Sequence, residues 1–282
     1  MRLFILLTLF FLINTAFANS YPLPVAAAFY PIYNSGTDQY IVPTSEMPFN
    51  KISTLFVAFG HTYPQGNGAN FTFEDTQPDE INRLPLLVKT ARQKNPEIKI
   101  LISLGWGHND WTYINTDYVN HADLFVPSVI QFIRTYDLDG FDIDDEGING
   151  LSGSISQANF DVVIKNLRNA LDKAGLEDHK QYYLTITPAG GTAEVNQNNM
   201  MSFDLINTQN YGGSYPDEFI NLGYPAKSIT QGINSEYACQ IPIKYQNDIA
   251  GIFDWSMSAD KVCHYEYTYT IAQLVGYPIV NG

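Results

Sequence analysis

The stretch "LDGFDIDDEGING", residues 138–150, carries two patterns at once. Phe141 and Ile143 alternate with Asp142, Asp144 and Glu146. A period of two is the signature of a strand, because successive side chains leave opposite faces. One face of this strand is apolar and the other is made of carboxylates. A solvated acidic turn has no need of alternating apolar residues. The apolar face is therefore expected to pack under helices, and the three acids to point inward toward the strand's exposed end. Asp139 and Asp145 have the opposite parity, so Asp139 needs a local irregularity or a different task. Calcium binding is a competing reading. With Asp142 at position 1 of a calcium loop, Asp144, Glu146 and Gly147 fall at positions 3, 5 and 6. Position 12, which requires a bidentate Glu, is then Gly153.

Outward from this segment the chain alternates. Strand-like runs fall at 25–30, 52–60, 98–106, 138–144, 182–190, 203–211, 228–233 and 249–257. Several are continuously apolar and β-branched, as strands covered on both faces are. Helical periodicity appears over 78–94, 121–136, 157–175 and 258–276. The clearest is 157–175, where Phe160, Val163, Ile164, Leu167 and Leu171 repeat at helical spacing and Gly175 offers a stop. Strand–helix alternation over this length predicts an α/β chain folded as a single-domain (β/α)₈ TIM barrel. An open doubly wound sheet is the alternative, but "PIYNSGTDQY" after the first strand is no phosphate loop. In a barrel the C-terminal strand ends carry the active site. Three stacked carboxylates there cannot all ionise, and a protonated Glu146 would be a poised general acid.

Residues 1–18, "MRLFILLTLFFLINTAFA", have a basic start, a short apolar run and an A-x-A ending. They read as a signal peptide, leaving 19–282 as the barrel and placing the protein outside the cytoplasm, extracellular or periplasmic. A membrane anchor is the competing reading, and the run is short for one. The formal net charge of −14 argues against nucleic acid and anionic membrane as partners. Aromatics reach 14%, enough to supply both a core and sugar-stacking surfaces. Cys239 and Cys263 form an even pair that permits a disulfide, and spacing alone leaves them equally compatible with two thiols. His61, His108, His121, His179 and His264 form neither HxH nor HExxH, so no metal and no cofactor is expected. "NFT" at Asn70 is a glycosylation sequon.

Asp139, Asp142, Asp144 and Glu146 resemble the DxxDxDxE signature of glycoside hydrolase family 18, the chitinase and endo-β-N-acetylglucosaminidase family. "ILISLGWG" is similar to the family's third-strand stretch, with Ser103 and Gly105 in place and Trp106 where a second Gly is usual. "TQNYGG" resembles the sixth-strand motif through Tyr211, and "GIFDWSMSAD" the eighth-strand motif through Trp255. The resemblance implies a retaining, substrate-assisted hydrolysis of N-acetylglucosamine polymers. Glu146 would be the acid, Asp144 would hold the acetamido N–H, Asp142 would pair with Asp144, and Tyr211 would orient the acetamido oxygen. Trp255 would be the sugar floor, with Gln209, Asn210 and Tyr30 as further substrate-binding residues. Asp139, Ser103 and Gly105 would be structural. Asp145, in "DDE", is similar to the spelling found in family members that cut the chitobiose core of N-glycans. A lectin on the same barrel is the rival from another class, and such lectins usually lack the glutamate. Only about 15 residues separate the last two strands, so the α+β insertion of some members is absent and an open, endo-acting site on a monomer is expected.

Overall fold

The computed structural model describes residues 21–34, 39–73, 80–105, 109–146, 154–189, 195–211, 213–236, 239, 242–278 and 280. The segment read as a signal peptide lies outside the described residues, as do Trp106, His108, Gly147 and Gly153.

Eight parallel strands close into a barrel. They are β1 (Val25–Pro31), β2 (Thr54–Gln65), β4 (Lys99–Gly105), β5 (Gly140–Asp145), β6 (Tyr183–Pro188), β7 (Leu205–Thr208), β8 (Ile229–Asn234) and β9 (Gly251–Trp255). Pairing of β1 with both β9 and β2 leaves no open edge in this ring. A further strand, β3 (Gly68–Thr72), runs antiparallel to the outer half of β2. Its turn holds Gly66 at a φ of 60°, which glycine adopts without a steric penalty.

The helices are α1 (Glu80–Lys94), α2 (Asp110–Val119), α3 (Phe125–Thr135), α4 (Gln157–Asp178), α5 (Pro216–Asn221), α6 (Met257–Val262) and α7 (Glu266–Val275). The layer they form is uneven. Between β1 and β2, and between β6 and β7, the described residues hold only 3₁₀ turns, at Phe49–Lys51 and Met200–Ser202. No helix or strand occurs among the described residues between Asn234 and Gly251. The expected α4 forms with its predicted apolar stripe buried, capped by Ser156, whose hydroxyl accepts the Asn159 N–H at 3.2 Å. It runs past Gly175 and ends at His179, which takes the left-handed conformation. Gly175 serves close approach instead: a Cβ there would lie 2.4 Å from the Lys180 carbonyl.

Side-chain alternation divides the core in two. Val25, Ala27 and Phe29 of β1, Phe56 and Ala58 of β2, Leu101, Tyr183, Leu205 and Phe253 pack together inside the barrel. Ala28, Tyr30, Leu55, Val57, Phe141 and Ile143 face the outer core. The parity expected for β5 holds: Phe141 and Ile143 lie outside with Asp145, and Asp142 and Asp144 lie inside.

Cys239 and Cys263 are joined in a disulfide with Cα atoms 5.1 Å apart. It ties the β8–β9 connection to the end of α6. Closing a loop of this size constrains the unfolded chain by about 3 kcal/mol. The paired Ser variant should therefore lose about 3 kcal/mol in urea unfolding, with a larger m-value because its unfolded chain is less compact.

Candidate active site

The inward face of β5 meets its two neighbours in register. Asp142 lies opposite Ser103 of β4 and Thr185 of β6, and Asp144 lies opposite Gly105 and Thr187. Asp142 is fully buried, and its carboxylate is surrounded by donors. Ser103 Oγ donates at 2.6 Å, Thr187 Oγ1 at 3.1 Å and Asn207 Nδ2 at 3.4 Å, with Thr185 Oγ1 closer still. Burial pushes its pKa up, and these donors oppose the rise by favouring the anion.

Asp144 sits one step nearer the mouth, and Gly105 makes room for it. A Cβ on Gly105 would come within 2.3 Å of the Asp144 carbonyl. Asp144 does not bond to Asp142. Its Oδ1 accepts from Gln209 Nε2 at 2.9 Å, and Gln209 also bonds to Glu146. Burial holds the Asp144 carboxyl well above the ordinary range, and the charges of Glu146, Asp142 and Asp145 add to the rise. Glu146, half-buried just past the strand end, is raised by burial and by Asp145. The column therefore retains protons to higher pH than isolated carboxylates do.

Tyr211 follows β7. Burial pushes its phenol well up, and the nearby charges of Asp144 and Glu146 push in the same direction. Gly232 of β8 leaves the space for it, since a Cβ there would lie 2.7 Å from the Tyr211 ring. Trp255, half-buried at the end of β9, has its ring centroid 5.3 Å from Phe29 and 5.8 Å from Phe59, with the Phe59 plane within 18° of its own. Tyr33 also stacks on Phe59, at 5.9 Å. An aromatic strip thus flanks the carboxylate column.

The structure brings together Asp142, Asp144, Glu146, Tyr211, Gln209, Ser103 and Gly105, with Trp255 at their side on the mouth. Asn210 is turned back on its own strand end, where its Oδ1 accepts from Thr208 at 2.8 Å. Tyr30 does not join the site, and its assignment to substrate binding is corrected. Its even position on β1 directs it to the outer core, where it is fully buried against Phe49 and Tyr40 and donates to the Ile41 carbonyl. The inward aromatic of β1 is Phe29. Asp139 lies at the opposite end of β5. It accepts the Ile100 N–H at 2.8 Å and pairs with Arg92 at 3.1 Å and Lys180 at 3.0 Å, which resolves its parity. Asp145 is buried on the outer face. Sequence reasoning missed Thr185, Thr187 and Asn207 around Asp142, and Phe29, Phe59 and Tyr33 around Trp255. The alternation in "LTIT", set in register with "FDID", was the available signal for the two threonines. Among the described residues no group of His, Cys, Asp and Glu is placed to hold a metal. Nor is any helix among them long and apolar enough to cross a membrane.

A closed parallel barrel with a stacked carboxylate column and an aromatic floor at its mouth defines the class: a TIM barrel with a glycosidase-type site. The chain belongs to Glycosyl hydrolases family 18, whose family profile matches residues 27–248. It is similar to Chitinase A1 of Niallia circulans, at 31% identity over 51% of this chain and 22% of that protein. It is also similar to an endochitinase of Brugia malayi, at 24% identity over 73% of this chain and 42% of that protein. The chain thus spans less than half the length of these two relatives. A solved GH18 chitinase from Cycas revoluta superposes with a TM-score of 0.65 at 15% identity, covering 89% of this chain and 99% of that one.

Proposed function

We propose that this chain is a secreted, chitinase-like glycoside hydrolase that cleaves β-1,4-linked N-acetylglucosamine polymers with retention, through an oxazolinium intermediate. The observation that carries the reading is the Asp142–Asp144–Glu146 column, with a buried, proton-retaining Asp144 hydrogen-bonded through Gln209 beneath a half-exposed Glu146. The Cycas revoluta relative was solved with a bound N-acetylglucosamine trimer, which supports the same class of ligand. The disulfide supports export to an oxidising compartment, in line with the N-terminal sequence.

In this reading Glu146 gives its proton to the glycosidic oxygen as the C1–O bond breaks. The acetamido oxygen of the same sugar closes on C1, so no enzyme nucleophile is required. Asp144 accepts the acetamido N–H and faces the positive charge that develops on the ring. Tyr211 donates to the acetamido oxygen, and Trp255 supports the sugar face. Water then opens the oxazolinium at C1 and passes a proton back to Glu146. Asp142, held by its four donor residues, keeps negative charge beneath Asp144 without moving.

Asp145 sets part of the pH range. Its charge raises both Asp144 and Glu146. Removing that charge lowers the pKa of the acid, so Glu146 loses its proton at lower pH. Asp145→Asn should therefore move the alkaline limb of the kcat/KM profile toward acid, and an unmoved limb would exclude Glu146 as the titrating acid.

The substrate is tested by mass spectrometry after one incubation with chitopentaose and a high-mannose glycopeptide. Shortened oligomers, absent with Glu146→Gln, support the proposal. A glycopeptide trimmed to one N-acetylglucosamine, with the oligomer intact, would instead favour the chitobiose-core specificity that Asp145 resembles. Binding without cleavage would make the chain a lectin.

A further inference from the structure

Trp255 stands at the last rung of the barrel, where a strand end would ordinarily fray. One residue just past the neighbouring strand bonds across this rung. Ser235, the first residue past β8, is buried and contacts three consecutive residues of the other chain segment. Its N–H donates to the Trp255 carbonyl at 2.9 Å and to Asp254 Oδ1 at 3.1 Å. Its hydroxyl lies 2.9 Å from Asp254 Oδ2 and 3.2 Å from the Ser256 carbonyl. Asp254 is fully buried, yet among the described residues its carboxyl is hydrogen-bonded only by Ser235. A carboxyl shut away from water without a cation costs stability, so an apolar residue would serve better if packing were its only task. Trp255 itself is half-exposed, packed on Phe29 and Phe59.

We propose that Ser235 and Asp254 form a latch that fixes the Trp255 indole, making both positioning residues for the sugar floor. Ser235 bonds to the Trp255 and Ser256 carbonyls and to the Asp254 carboxyl, so the segment carrying the ring is tied at three successive residues. The Ser235 hydroxyl donates to Asp254 Oδ2 at 2.9 Å, with the Ser256 carbonyl at 3.2 Å as the alternative acceptor of its single proton. A ring fixed before the sugar arrives spares the ordering that binding would otherwise have to supply. The effect on binding rests on the reading of Trp255 given above, but the effect on the ring does not.

The chain has three tryptophans, so 5-fluorotryptophan labelling gives three ¹⁹F resonances, with that of Trp255 assigned from Trp255→Phe. Ser235→Ala removes one hydroxyl and is the mildest test. It should shift and broaden the Trp255 resonance and leave that of Trp111 sharp, since Trp111 is buried against Phe160. Asp254→Ala should do the same, whereas Asp254→Asn, which keeps an acceptor and a donor toward Ser235, should restore the parent spectrum. On chitopentaose, Ser235→Ala should raise KM about fivefold with kcat within about twofold, the pattern of lost uniform binding. A Trp255 resonance unchanged in Ser235→Ala, or all resonances disturbed together, would overturn the latch whatever the activity. A Trp255 resonance that moves alone, in a protein that neither cleaves nor binds N-acetylglucosamine oligomers, would keep the latch and remove the proposed function.

Discussion

Glu146→Gln should lower kcat on chitopentaose by about 10²–10⁴-fold, the usual contribution of a positioned general acid. Glutamine keeps the shape and still bonds to Gln209 but has no proton to give. Glu146 is half-exposed beyond the strand end, so the change in stability should stay within about 0.5 kcal/mol. Removing its charge also relieves one of the repulsions that raise Asp144. The variant should therefore remain folded and bind oligosaccharide while failing to cleave it. Steady-state kinetics with a thermal melt on the same sample check both halves. A kcat within tenfold of the parent would mean that another group supplies the proton.

Asp142→Ala should cost as much stability as loss of the disulfide, about 3 kcal/mol in urea unfolding. The carboxylate is fully buried and accepts from Ser103, Thr185, Thr187 and Asn207. Alanine leaves these donors facing a small void, and each unsatisfied buried donor costs about 1–3 kcal/mol. The sum is not reached, because Asn207 already bonds to Thr187 at 3.1 Å and hydroxyls can turn to each other. Activity should fall as well, since Asp144 loses the charge beneath it. The midpoint shift at constant m-value is the measurement. A shift under about 1 kcal/mol would mean that the donor cage carries little of the barrel's polar core.

Much of this arrangement was legible in the sequence because both periods involved are local. The alternation in "FDIDDE" fixes which face is acidic, and strand–helix alternation fixes the barrel. All eight barrel strands were found, within a few residues at their ends. The β2–β3 hairpin was not, although "QGNG" is a turn signal, because the long apolar run before it read as one strand. The helix α2 was hidden by its polar sequence, "DWTYINTDYV". The donor cage around Asp142 was out of reach because it depends on cross-strand register, which no single strand encodes. Tyr30 was misplaced for the same reason: one step along β1 exchanges the barrel interior for the outer core. Spacing left Cys239 and Cys263 undecided, and only their placement across the β8–β9 connection and α6 pairs them.

The most direct test of the proposed chemistry is time-resolved ¹H NMR of the reducing-end anomers released from chitopentaose, with Glu146→Gln as control. Substrate assistance inverts C1 twice, so the β-anomer should appear first and drift toward equilibrium by mutarotation, with no product from the control. An α-anomer formed first, or a pentasaccharide left intact by the parent protein, would contradict the account.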